Sequence, residues 1–225
     1  MKNTLKTIAL KGALFAGMVL SLAGCNEKGT FTDARDGKTY KTVKIGSQTW
    51  MAENLNHETD ESYCYKGDPS NCEKYGRLYT WEAARKACPV GWHLPDTTEW
   101  NLLGTFVANT LFDYNTDSVG YALKSTSGWG NAGGKSGNGS DAFGFDALPA
   151  GYRSSYGGFD DLLYSTYFWL SGWERRAGMI FGISYLEEIF FYGTLSSSSS
   201  KMYTFDRDSR DSKDFAQSVR CVKDH

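Results

Sequence analysis

The stretch Thr80-Trp81-Glu82-Ala83-Ala84-Arg85-Lys86-Ala87-Cys88-Pro89-Val90-Gly91-Trp92-His93-Leu94-Pro95-Asp96-Thr97-Thr98-Glu99-Trp100 decides the fold. Thr80 can cap a helix from Trp81 to Cys88, with Trp81, Ala84 and Cys88 on one face and Pro89 and Gly91 ending it. Asp96-Thr97-Thr98-Glu99 has the spacing of a capping box, and Trp100, Leu103 and Val107 supply the inward stripe of a second helix. Each helix has one apolar face that needs a sheet to cover it.

The sheet is read from the flanks. Upstream, Thr39 to Trp50 alternates in polarity around Gly46-Ser47 and predicts a hairpin, with Asp36-Gly37 as the turn before it. Downstream, Ser125 to Ser140 is dense in Gly, Ser and Asn and must be loop. Beyond it come short aromatic runs: Ala142 to Leu148, Tyr167 to Trp173, Met179 to Ser184, Glu188 to Thr194 and Met202 to Phe205. They read as short strands, with Ser196 to Ser200 as a hairpin loop and Val219 to Val222 as the closing strand. The class is α+β, two early helices packed on an irregular, loop-rich antiparallel sheet.

The N-terminus carries a different signal. Lys2, Lys6 and Lys11 precede an apolar run, Gly12 to Leu22, too short for the ~20 residues of a spanning helix. The run ends in Leu22-Ala23-Gly24-Cys25, which resembles the lipobox of bacterial lipoproteins, with Cys25 as the acylated residue. Residues 1–24 are therefore expected to be a signal peptide, 25–30 a lipid anchor and short tether, and 31–225 one domain. Acyl chains at ~0.8 kcal/mol per buried CH₂ would hold the protein to a membrane. Asn26 is not the aspartate that retains some lipoproteins at the inner membrane, so a cell-envelope location at the outer membrane, open to the cell surface, is expected. Losing the three lysines takes the formal charge from −2 to −5. That acidic balance has no basic stripe for nucleic acid.

The remaining cysteines, Cys64, Cys72, Cys88 and Cys221, are an even set in an exported chain, where disulfides are the default. Cys64 and Cys72 flank a segment with Gly, Pro and Asn turn chemistry and are paired locally. Cys88 is left with Cys221. The chain-entropy model gives roughly 5 kcal/mol for the long bridge and roughly 2.5 for the short one. A zinc site made of these cysteines with His57 or His93 is the rival, but no CxxC or HxxxH spacing supports it.

Several blocks together are similar to the Fibrobacter succinogenes major paralogous domain. They are Asp36-Gly37-Lys38-Thr39-Tyr40, Gln48-Thr49-Trp50-Met51-Ala52-Glu53-Asn54-Leu55, Gly76-Arg77-Leu78-Tyr79-Thr80-Trp81, Cys88 to Pro95 with Glu99-Trp100, Phe143-Gly144-Phe145 with Ala147 to Gly151, Phe168-Trp169, and Val219-Arg220-Cys221-Val222. That family resembles in turn the formylglycine-generating-enzyme branch of the C-type lectin fold. The resemblance implies a C-type-lectin-like domain with a helix-to-last-strand disulfide, and it implies no established activity.

An oxidase of that branch needs a copper-holding cysteine pair or clustered histidines. This sequence has His57, His93 and His225 far apart and without ligand spacing. No GxSxG is present. Asp113-Tyr114-Asn115-Thr116-Asp117 opens like a calcium loop, but Ser118 and Lys124 stand where glycine and glutamate are required. A non-enzymatic chain without cofactor is expected. The positive reading is a binding module for glycan or protein ligands, built on aromatic and amide side chains near polar loops: Trp129, Asn138, Asp141, Arg153, Trp173 and Tyr203. Trp129 is the ring expected to be most exposed, since its neighbours are nearly all Gly, Ser and Asn. The alternatives are a structural or assembly partner in the envelope and a formylglycine-generating-enzyme-like oxidase.

Overall fold

The computed structural model describes residues 27–180, 183–208 and 214–224. In chain order it contains β1 (Lys28–Thr32), β2 (Thr39–Ile45), β3 (Gln48–Met51), β4 (Ser62–Tyr63), α1 (Pro69–Tyr75), β5 (Leu78–Thr80), α2 (Trp81–Ala87), β6 (Trp92–His93), α3 (Thr97–Leu111), α4 (Val119–Leu123), β7 (Ala150–Arg153) and β8 (Phe159–Leu162). The long β9 (Ser165–Ile180) and β10 (Ile183–Ser196) follow, then β11 (Tyr203–Asp208), β12 (Ala216–Ser218) and β13 (Val222–Lys223). The class is α+β, as expected.

Both helices of the opening stretch form where their caps place them. Thr80 accepts a hydrogen bond from the Ala83 N–H at 3.3 Å. Cys88, held extended before Pro89, stops α2. The capping box of α3 is complete, with the Asp96 carboxylate accepting from Glu99 N at 2.8 Å and the Glu99 carboxylate accepting from Asp96 N at 3.0 Å. Its stripe, Trp100, Leu103 and Val107, is fully buried.

Two sheets result. The smaller has the order β1-β2-β3-β13-β6, so the first and last described strands share it. The larger runs β11-β10-β9-β7-β12-β5-β4, with β8 on β7 and parallel pairings of β9 with β7 and β12. Alternation along β9 divides the interior: Phe168 and Leu170 enter a core with Trp50, Trp100 and Phe145, while Trp169 enters another with Tyr79, Trp81 and Phe190. β10 passes close to α3 only because residue 193 is glycine. A Cβ there would stand 2.3 Å from the Trp100 ring.

The disulfides pair as expected, Cys64–Cys72 with Cα atoms 4.9 Å apart and Cys88–Cys221 at 5.9 Å. All four cysteines are thereby removed from metal ligation. Beside the long bridge, the buried Arg220 donates through Nε at 3.1 Å and Nη2 at 2.6 Å to Asn54 Oδ1, and through Nη1 to the Phe145 carbonyl. Its guanidinium lies 4.4 Å from the Phe145 ring centroid. Burial lowers its pKa to about 10, still charged at neutral pH.

Several expectations are corrected. Lys28, inside the 25–30 segment, already pairs with Val43 on the open edge of β2. The segment between Cys64 and Cys72 is more than a turn: Asp68 caps Ser70 N and Pro69 opens α1. Ala142 to Leu148 is a run of turns that drops Phe143 and Phe145 into the core around Gly144 at φ +75°. Tyr167 to Trp173 and Glu188 to Thr194 belong to strands much longer than expected, and Met179 to Ser184 covers the end of β9 and the start of β10. The charged run between them pairs across the strands, Arg175 opposite Glu188 and Arg176 opposite Glu187. The closing strand is divided, since the chain leaves the larger sheet at β12 and joins the smaller at β13. Between them the Val219 and Cys221 carbonyls accept from Leu55 N and Met51 N.

Cys25 and the expected signal peptide, residues 1–24, lie outside the described residues. Among the described residues no helix is long and apolar enough to cross a membrane.

Candidate ligand-binding surface

Three of the six residues expected to contact ligand gather at the Gly-rich loop, Trp129 buried and Asn138 and Asp141 half-buried. Trp129 is only 5% exposed, which overturns the expectation drawn from its polar neighbours. Its indole N–H donates to Ser125 Oγ and to the Ala147 carbonyl, both at 3.0 Å, and its backbone N–H donates to Asn138 Oδ1 at 3.0 Å. Asp141 accepts from Asp146 N at 2.7 Å. Burial, only partly offset by that bond, raises the Asp141 pKa. Above the indole, 5.0 Å from its centroid, sits the Lys124 ammonium, donating to the Ser196 and Ser199 carbonyls at 2.8 and 3.0 Å. Burial lowers the Lys124 pKa to about 8. The Gly-rich loop is thus folded around its own tryptophan.

The other three, Arg153, Trp173 and Tyr203, lie on the larger sheet. Tyr203 ends a continuous line of rings that crosses four strands and the approach to β12. From the covered end, Phe215 stacks on Tyr152 (5.7 Å between centroids), Tyr152 meets Tyr167 (5.3 Å), Tyr167 meets Tyr192 (6.0 Å), Tyr192 meets Phe205 (5.9 Å), and Phe205 stacks on Tyr203 (5.7 Å). Phe215 and Tyr192 are buried, whereas Tyr203 and Phe205 are 36% and 47% exposed. The line is one edge of the second core, and it surfaces on β11.

Hydroxyl chemistry accompanies the rings. Tyr167 Oη donates to Asp161 Oδ2 at 2.5 Å, and Tyr203 Oη lies 3.1 Å from Ser199 Oγ. Burial first, and then the Asp161 carboxylate, push the Tyr167 pKa far above the ordinary phenol value, so its hydroxyl stays a donor. Trp173 is set apart from the line, 48% exposed, with the Arg175 guanidinium 5.7 Å from its ring centroid. Arg153 points to the other face, over the Tyr63 ring at 4.2 Å.

Sequence reasoning passed over Tyr167, Tyr192, Phe205 and Phe215. The available signal was the two-residue spacing of Tyr167 with Trp169 and of Tyr203 with Phe205, which sets both pairs on one face of a sheet.

Two polar clusters elsewhere among the described residues are held by ion pairs and hydrogen bonds. Asp33, Asp36 and His57 offer ligand atoms within 4.8 Å of one another. Arg35 takes both Asp33 oxygens, and Lys38 stands 3.5 Å from Asp36, so that negative charge is already matched. His93 bonds Asp224 Oδ1 at 2.6 Å and Glu99 Oε1 at 2.8 Å, tying the end of β13 to the cap of α3.

Comparison with curated proteins and with solved structures finds no match. A family model described as the Fibrobacter succinogenes major domain matches residues 43–223.

Proposed function

The chain belongs to the Fibrobacter succinogenes major domain family, and from that premise we propose that it is a lipid-anchored cell-envelope protein whose domain binds glycan without catalysis. The observation that carries this reading is the line of rings surfacing at Phe205 and Tyr203, with the Tyr203–Ser199 hydroxyl pair at its open end and the Tyr167–Asp161 pair farther along it. A sugar offers apolar C–H faces and a rim of hydroxyls. A platform of ring faces flanked by donors and acceptors complements both.

The finer fold reading is a C-type-lectin-like domain. Its support is the shared sheet of the first and last described strands, the bridge from the end of α2 to the segment before β13, and the loop-rich half between. The lipobox at Leu22 to Cys25 supports the anchor, and Asn26 supports the outer membrane.

Retention on a panel of immobilised plant and cell-wall polysaccharides tests the binding reading. The parent is expected to be retained on at least one. The Tyr203→Ala, Phe205→Ala variant loses about 1 kcal/mol per ring, so roughly tenfold or more in affinity. Retention of parent and variant alike refutes the ring platform, and retention of neither moves the reading to an envelope assembly role. Labelled palmitate should enter the parent but not the Cys25→Ser form; equal labelling overturns the anchor.

A further inference from the structure

The opposite face of β7 carries a second and different surface. An open groove of about 900 Å³ lies between β4, the Cys64–Cys72 loop and the β7–β8 hairpin. Its walls bring Lys38, Lys66, Arg77 and Arg153 together against only Glu58 and Glu73, in a chain whose overall formal charge is negative. Lys38 is committed, donating to the Asn56 carbonyl and pairing with Asp36. Arg77 shares its charge with Glu58 at 2.8 Å, while its buried Nε has no acceptor among the described residues.

Arg153 is the best-placed cation. Its guanidinium carbon lies 4.2 Å from the Tyr63 ring centroid, and Nη1 donates to the Asp214 carbonyl at 3.1 Å. Among the described residues no acceptor takes Nε or Nη2. Nη2 would lie 3.4 Å from a Cβ at position 157, where glycine leaves the approach clear. A guanidinium held over a ring with its Nε/Nη2 edge open is matched in geometry and charge by a carboxylate. Lys66, exposed on the loop that the short disulfide closes, adds charge at the rim.

We propose that this groove binds the carboxylate of an acidic sugar, with the Arg153 Nε/Nη2 edge as its fork and Lys66 and Arg77 as supporting charges. Arg153 follows Tyr152 in β7, so the groove and the ring line occupy opposite faces and are separable by mutation.

Calorimetric titration of the detergent-purified lipoprotein with tetragalacturonate is the test. Binding is expected, weakened tenfold or more by Arg153→Gln and two- to threefold by Lys66→Gln, an exposed position that leaves the fold alone. Arg153→Lys keeps the charge without the fork and should recover only part of the loss. Raising the salt should weaken binding, and methyl-esterified tetragalacturonate should not bind. Equal affinity for the ester, or full affinity in both glutamine variants, overturns the proposal. Loss in Tyr203→Ala, Phe205→Ala with none in Arg153→Gln would move the acidic sugar to the ring line and also overturn it. Inorganic phosphate binding more tightly than the sugar would make the groove a phosphate site instead.

Discussion

Trp129 and Trp173 each follow a Ser-Gly pair, Ser127-Gly128 and Ser171-Gly172, yet the first is 5% exposed and the second 48%. The difference lies in what the surrounding backbone can do. Around Trp129, glycines at positive φ let residues 128–139 bend back so that Asn138 accepts from the Trp129 backbone N–H, while Ser125 and Ala147 accept from its indole N–H. Around Trp173 the chain is a paired strand, whose N–H and C=O groups are used in the ladder and whose side chains stand out from it. A flexible segment can close over an aromatic ring, and a strand can only display one.

The comparison extends to what fixes each region. The loop and its core rest on elements tied together by Cys88–Cys221 and by Arg220, which bonds Asn54 and Phe145, whereas the β9–β10–β11 ribbon carries no disulfide. Replacing Cys88 and Cys221 by serine should have the largest effect, about 5 kcal/mol in denaturant unfolding. The fraction that stays folded should bind polysaccharide as the parent does. A loss under about 1 kcal/mol would show that the core does not depend on the bridge. Trp129→Ala comes next, at about 3–5 kcal/mol, the range for removing a large buried ring. If it instead weakened glycan retention at unchanged stability, the contrast between the two tryptophans would be reversed.

How far the sequence discloses this division depends on the range of the determining interactions. Caps act over three or four residues, so Thr80, Asp96 and Glu99 place α2 and α3 directly. The β2–β3 hairpin follows from Gly46 and the alternation around it. The Cys64–Cys72 pair follows from the turn residues between the two cysteines. The burial of Trp129 does not, because its partners Asn138 and Ala147 are brought back by the path of the loop and Lys124 is locked by a distant serine segment. Nor could short runs show that β9 and β10 continue through charged residues, since only the register sets Arg175 beside Glu188 across the hairpin. The ring line is legible as pairs spaced by two, but its order across the strands needs the sheet topology. The Arg153 groove depends on Tyr63, far away in sequence and placed beneath it only by the fold.

His93 tests the anchored region by pH. Burial disfavours its charge, but hydrogen bonds and attraction from Asp224 and Glu99 outweigh this and raise its pKa above the ordinary value. A raised folded pKa means that stabilisation is complete below about 6.5, the unfolded value, and is lost as the pH climbs through the folded one. His93→Ala should therefore lower the melting temperature more at pH 5 than at pH 8.5. The side chain is 38% exposed, so solvent screening keeps the difference under about 1 kcal/mol, some 2–4 °C. An equal drop at both values would show that His93 acts by packing alone.

Trp173→Ala should give the smallest change, within about 0.5 kcal/mol, because an exposed strand residue away from a cap or core contact contributes little to folding. It also decides how far the ring platform extends. Trp173 stands opposite Phe190 in the ladder, but its ring faces the Arg175 guanidinium, outside the Tyr203–Phe205 line. If the platform ends at that line, polysaccharide retention by Trp173→Ala equals that of the parent. A loss comparable to that of Phe205→Ala would make the whole exposed ribbon the binding face. A drop in stability of 2 kcal/mol or more would mean that the ribbon buries its rings as the Trp129 loop does, and the contrast between the two regions would fail.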